Sequence, residues 1–168
     1  ILVSAKYGGL ALAPQVGLVP LGEDANTGLW EFAHLRSGEA PRRRDGHGFE
    51  VGATTGIVFV LLPGGTLHMG CQKLPGAIDH DPEARPDESP PHVVELAAFF
   101  LAKHELTQGQ WMRLGDGDNP SEAQPGAGFK IPLTLAHPVE MVSWHAAVDV
   151  LAEADLVLPT EAQWEYAC

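Results

Sequence analysis

Cysteine is scarce in this chain: only Cys71 and Cys168 occur in 168 residues. Two thiols exclude the dense disulfide framework of a small secreted scaffold and are compatible with either a reducing or an oxidising compartment. Basic residues are also few, with 10 Lys and Arg against 22 Asp and Glu, a net charge of −12. Such a field repels phosphate backbones, so no nucleic-acid partner is expected. The one basic run, Arg42-Arg43-Arg44, reads as a solvated loop. No apolar run approaches the roughly 20 residues of a membrane span, and no membrane partner is expected. His92, His104, His137 and His145 show neither H-x-x-x-H nor H-E-x-x-H spacing, which excludes a zinc signature. Gly64-Gly65 is followed by no Lys and is not a phosphate loop. Neither an internal repeat nor a low-complexity tract is present.

What remains is a 45% hydrophobic chain of a length that suits one domain, or a domain with an attached arm. Leu10 to Leu21 is apolar but interrupted by Pro14, Gly17 and Pro20, which predicts short extended pieces. The alternation of Leu29 to Leu35 after a turn-rich link predicts a β-hairpin, and Ser37 to Gly48 reads as a loop. Gly56 to Leu62 is the strongest strand signal, a β-branched and aromatic run expected to be covered on both faces. Pro63-Gly64-Gly65 is read as a tight turn and Thr66 to Met69 as the returning strand. Gly70 to Pro91, with five prolines, is a long acidic loop, and Val93 to Leu101 is one further strand candidate. Residues 1–55 are therefore expected to form an N-terminal arm or hairpin extension, and 56–168 the main domain.

Three helix starts carry explicit caps. Thr107 with Gln110 and Thr160 with Gln163 are T-x-x-Q capping boxes, which satisfy two orphan amides reciprocally. Ser143 is an N-cap ahead of Trp144, Ala147, Val148 and Leu151, the spacing of a one-sided helix. Trp164, Ala167 and Cys168 are expected on the inner face of the last helix. Trp111, Trp144 and Trp164, each near a helix start beside Leu, Val or Ala, read as core rather than as an aromatic platform. The chain begins with Ile1 and stops at Cys168 without a cap, so it is read as an internal fragment of something longer.

The candidate chemistry is sparse. Asp79, His80, Asp81, Glu83, Asp87 and Glu88 offer oxygen ligands within ten residues, but not in the D-x-D-x-D-G order of a calcium loop, so a solvated acidic loop is expected. A nucleophilic pairing of Cys71 with a histidine is a matter for the fold, and Cys168 reads as a small hydrophobe.

A pattern does emerge from five pieces in order: Pro63-Gly64-Gly65-Thr66 with Met69-Gly70; Asp87-Glu88-Ser89-Pro90-Pro91-His92-Val93-Val94; Phe99 through Lys103 to Glu105-Leu106-Thr107; His137-Pro138-Val139 with Val142-Ser143-Trp144; and Leu158-Pro159-Thr160-Glu161-Ala162-Gln163-Trp164-Glu165-Tyr166-Ala167. From about Gly56 to the end the chain resembles the formylglycine-generating enzyme (sulfatase-modifying factor) family. That resemblance implies an α+β fold of C-type-lectin-like kind, with short strands, few short helices and long loops. It also implies oxidation of a sulfatase cysteine, within a Cys-x-Pro-x-Arg motif, to formylglycine, with copper held by two cysteines and with calcium in the complete domain. Those ligands belong to the family's C-terminal half, and neither Cys71 nor Cys168 corresponds to them. No catalytic or metal residue is thus assigned here; Thr107, Ser143, Trp144, Thr160, Glu161, Gln163 and Trp164 are expected to be scaffold. The stretch Gly17 to Leu35 looks like the extension before such domains in large bacterial proteins that also carry a serine/threonine kinase. A non-catalytic lectin-like binding module is accordingly the alternative. The related iron-dependent sulfoxide synthases would require a histidine-bearing helical bundle, and no such pattern is visible in residues 1–56.

Overall fold

The computed structural model describes residues 5–44 and 48–168. Residues 1–4 of the expected N-terminal arm and part of the Ser37 to Gly48 loop lie outside the described residues. The strands are β1 (Leu18–Glu23), β2 (Trp30–His34), β3 (Arg42–Arg43), β4 (Phe49–Glu50), β5 (Ile57–Leu62), β6 (Gly65–Met69), β7 (His92–Leu96) and β8 (Phe99–Ala102); the helices are α1 (Gln108–Leu114), α2 (Trp144–Ala152) and α3 (Glu161–Ala167). Small antiparallel sheets and few short helices make this an α+β chain. Among the described residues no helix is long and apolar enough to cross a membrane.

Two compact units divide the chain: Leu12–Leu61 with Phe100–Leu158, and residues 5–11 with Leu62–Phe99 and Pro159–Cys168. The first carries a four-stranded sheet in the order β1-β2-β5-β8. The expected hairpin is its outer half, with Leu18 opposite His34 and Glu23 opposite Trp30. Pro20 is tolerated because β1 is an edge strand, where a missing amide costs no ladder bond. Strand β2 then pairs with β5, Glu31 opposite Val60 and His34 opposite Ile57. The segment expected as an arm or hairpin extension therefore supplies two of the four strands. Ile57, Leu114 and Ala154 form a core against which Phe59, Leu106, Val150, Leu151 and Leu156 pack.

Thr107 starts α1 as expected from the capping box: its hydroxyl accepts from the Gln110 amide at 3.3 Å, and the Gln110 side chain accepts from the Thr107 amide at 2.9 Å. Gly109 lets this helix approach the chain closely, since a Cβ there would meet the Ala53 carbonyl oxygen at 2.5 Å. Ser143 caps α2 by accepting from the Ala146 amide at 3.1 Å.

In the second unit, β6 pairs with β7, Gly65 opposite Leu96 and Met69 opposite His92. This corrects the expectation that Thr66 to Met69 returns along Gly56 to Leu62. Both edges of β5 are already taken, by β2 and β8, so no ladder is left for β6. The single strand expected over Val93 to Leu101 is likewise two, β7 and β8, in different sheets. The break falls at Ala97-Ala98, where the backbone of Gly64 packs so closely that a Cβ would sit 2.9 Å from the Ala98 nitrogen. Thr160 and Gln163 cap α3 reciprocally at 3.2 and 2.9 Å.

Candidate functional site

Strand β2 carries a carboxylate at its second position, and Glu31 is 0% exposed. A bare buried carboxylate would be costly, and this one is answered twice. Arg43 Nη2 donates to Glu31 Oε2 at 2.7 Å, and Lys103 Nζ donates to Glu31 Oε1. Lys103 also donates to Asp24 Oδ2 at 3.3 Å. The Phe49 ring completes the cluster, its centroid 4.5 Å from the Arg43 guanidinium carbon and 5.7 Å from Lys103 Nζ. Arg43 is exposed, as expected of a basic run, but it lies in β3 opposite Phe49 rather than in a loop, and its guanidinium is paired with Glu31. Asp24 is lowered to about 2 chiefly because its carboxylate accepts from the Thr27 amide, with the Asn26 amide and Lys103 acting in the same direction against burial. Burial alone would lower Lys103, but its bonds to Glu31 and Asp24 outweigh that and raise it. Each of these four charged groups has an opposite partner, so the cluster fastens strands rather than offering itself to a ligand.

Beyond Lys103 the chain turns through His104 and Glu105 into the Thr107 cap. With Val51, Ala136 and Pro138 these residues line an open cleft of about 450 Å³. The His104 imidazole is held below its ordinary value by burial and by the neighbouring Lys103 charge, which Glu31 partly offsets, so it is mostly neutral at pH 7. A neutral imidazole and a carboxylate at one cleft can accept hydrogen bonds, or a proton, from a bound molecule. This is the candidate functional cleft of the first unit. Of the residues singled out in the sequence, it brings together Thr107 and His104 with Lys103, Glu105 and Pro138 of the ordered motifs.

The other sequence-derived positions lie apart from it. Trp111 is buried, but Trp144 and Trp164 are 66% and 61% exposed, which corrects their assignment to the core. In α2 the residues packed on the core are Val150 and Leu151, one to two turns beyond Trp144. In α3 the partly buried positions are Ala162, Gln163 and Tyr166, whereas Trp164, Ala167 and Cys168 are exposed. Tyr166 packs beside Phe99, ring centroids 6.2 Å apart.

Cys71 finds a carboxylate rather than a histidine. Its thiol donates to Glu88 Oε2 at 3.2 Å, and that bond, with burial and nearby acidic charge, pushes it up to about 11. A thiol kept protonated is the opposite of a copper ligand, which must be thiolate. Among the described residues no three His, Cys, Asp or Glu side chains are grouped to hold a metal ion. The acidic stretch Asp79 to Glu88 accordingly forms no cation cradle, and the donors among the described residues are not grouped to fit copper or calcium.

The Asp24, Glu31, Arg43 and Lys103 cluster escaped the reading of the sequence. Its one local signal was a glutamate in the otherwise apolar and aromatic strand Trp30–His34.

Comparison with known proteins gives a consistent picture. The family model of the sulfatase-modifying factor enzyme 1-like domain matches residues 49–168. A hercynine oxygenase of Mycolicibacterium smegmatis is 26% identical over 136 residues, covering 65% of this chain and 31% of that protein. A formylglycine-generating enzyme of Thermomonospora curvata is 29% identical over 152 residues, 65% of this chain and 48% of the enzyme. A serine/threonine-protein kinase, pkn1, of Chlamydia caviae is 30% identical over 101 residues, 51% of this chain and 16% of the kinase. The chain thus spans less than half the length of each of these relatives. No solved structure gives a significant match. Since the family model covers most of the chain, including β4 to β8 and all three helices, the protein belongs to the sulfatase-modifying factor enzyme 1-like domain family, the family of the formylglycine-generating enzymes.

Proposed function

We propose that these residues are the scaffold portion of a formylglycine-generating-enzyme-like protein that oxidises the cysteine of a Cys-x-Pro-x-Arg motif in a sulfatase, on a C-type-lectin-like variant of the α+β fold. The observation that carries this reading is the match of the sulfatase-modifying factor model to residues 49–168, joined by the similarity to the Thermomonospora curvata enzyme over 152 residues. Copper and calcium, on this reading, are held by residues other than the described ones, among which no three donor side chains are grouped. Within the chain, the neutral His104 and Glu105 at their cleft are the groups suited to meeting a peptide.

A second reading is favoured by the similarity to pkn1: a non-catalytic binding module in a kinase-linked signalling protein. One assay separates the two. The protein encoded by the complete gene is loaded with copper and given a Cys-x-Pro-x-Arg peptide, and the product is examined by mass spectrometry and aldehyde-specific labelling. Conversion of the peptide thiol to an aldehyde is expected. An unmodified peptide under conditions where a known formylglycine-generating enzyme converts it would move the assignment to the binding module.

A further inference from the structure

The His104 cleft has two chain segments for walls, the turn from Lys103 to Thr107 and the segment Ala136 to Pro138. The backbone joins them around Pro138: the Gln108 amide donates to the His137 carbonyl at 2.9 Å, and the Val139 amide donates to the Leu106 carbonyl at 2.8 Å. Thr107 bridges to Pro138 itself as an antiparallel pair. Proline has no N–H to give to that ladder, so its carbonyl is the one backbone group through which it can be held. Gln108 takes that carbonyl, its Nε2 donating to Pro138 O at 3.3 Å.

Gln108 is 1% exposed, and its side-chain amide is fully employed. Nε2 also donates to the Ala123 carbonyl at 2.9 Å, and Oε1 accepts from Asn119 Nδ2 at 2.9 Å. The Asn119 bond orients the amide, because it presents a donor where only the glutamine oxygen can accept. The layer behind the wall is closed in the same way: the Ala123 amide donates to Glu140 Oε1 at 2.8 Å, and the Glu140 amide to Ser121 Oγ at 3.1 Å. An apolar side chain of the same volume fills an interior without hydrogen-bonding demands, whereas a buried amide is tolerated only with its partners in place. What the amide adds is a fixed position for the Pro138 wall.

We propose that Gln108 is the positioning residue of the His104 cleft. Gln108 is not among the residues that line the cleft; it acts through Pro138, holding that wall at the distance from His104 and Glu105 that admits a peptide segment. This inference rests on the proposed peptide role of the cleft and deepens it, by naming the residue that sets the width of the site. Without the Gln108 grip the Pro138 carbonyl faces an interior with no donor, and the wall moves outward toward water. The cleft then widens, contacts with the peptide are lost, and His104 gains solvent.

The test uses the copper-loaded protein of the complete gene, a Cys-x-Pro-x-Arg peptide, and two readouts: the split between KM and kcat, and the titration of the His104 ring followed by NMR. Gln108→Met removes both donors at nearly constant volume. Asn119→Asp is the milder companion. It keeps the side-chain oxygen that accepts from the Ser121 amide, and it sets a carboxylate against Gln108 Oε1, which turns the amide over and away from Pro138. Thr160→Ala, which removes a cap in the other unit, is the control for destabilisation alone. Both cleft variants are expected to raise KM at least tenfold with kcat within twofold, and to bring His104 up from its depressed value toward its ordinary 6.5, while Thr160→Ala moves neither. An unchanged KM or an unmoved His104 in whichever variant folds overturns the proposal, as does an equal rise in Thr160→Ala. A wild-type protein that fails to convert the peptide overturns the peptide reading of the cleft, and this inference with it. The two failures are thereby told apart.

Discussion

Lys103 shows how much one side chain decides. It answers two carboxylates of β1–β2 from the end of β8, and Glu31 is buried completely. Removing one partner of a buried pair leaves an uncompensated charge, at a cost of about 3–5 kcal/mol, whereas removing both with apolar groups costs much less. Because Arg43 still answers Glu31, Lys103→Met is expected to lower stability by less than that, about 1.5–3 kcal/mol in a denaturant titration, and Glu31→Met combined with Lys103→Met by less than the sum of the two single variants. Additive losses would contradict the pairing. Two titrating groups predict separate acid steps. His34 is 3% exposed and depressed chiefly by burial below its ordinary 6.5. Ser37 Oγ already donates to the His34 carbonyl and accepts from the Ile57 amide, so the 3.1 Å contact with His34 Nδ1 is best made by a neutral ring protonated at Nδ1. The unfolded chain takes up the next proton first, so stability is full above pH 6.5 and falls as pH drops below it. Asp24 behaves oppositely in charge and alike in direction: its stabilisation is present above its ordinary 3.8 and is lost as pH falls toward about 2. Thermal unfolding against pH is expected to show both steps, with Asp24→Asn removing the lower one alone.

At the level of elements, α1 has only 7 residues and owes its existence to its cap and its packing. Thr107→Ala is expected to cost about 1 kcal/mol through the cap, read as a shift in unfolding midpoint. A sharper contrast comes from Gly109. Replacing a helical glycine by alanine ordinarily stabilises by about 1 kcal/mol, but here the new Cβ would meet the Ala53 oxygen at 2.5 Å. Gly109→Ala is expected to destabilise, and a gain in stability would refute the close approach. The strands teach a different lesson. Caps were legible because a hydroxyl and an amide three residues apart interact locally, as at Thr107 and Thr160. Pairing was not: Thr66 to Met69 has the alternation of a strand, but alternation names no partner, and β6 found β7 because β5 had no free edge.

For the molecule as a whole, the family match begins at residue 49, while the sheet of the first unit begins at Leu18. A chain cut to 49–168 would expose the edge of β5 that β2 covers and would remove Asp24, Glu31 and Arg43 from Lys103. Compared with the intact chain, that shortened form is expected to self-associate in size-exclusion chromatography and to exchange the β5 amides faster, because an unpaired strand edge recruits other chains. A monomer with unchanged protection would show that the hairpin is dispensable.

The sequence by itself determined the acidic character, the α+β class, the hairpin, the three capped helix starts and the family. All of these rest on composition, short-range hydrogen bonding or ordered motifs. Only the tertiary structure decided which strands share a sheet, that Trp144 and Trp164 lie outside while Trp111 lies inside, and that Glu31 is answered by Arg43 and Lys103. The physical reason is range: a cap is closed within one helical turn, whereas a ladder partner or a counter-ion 72 residues away exists only once the chain has folded back on itself.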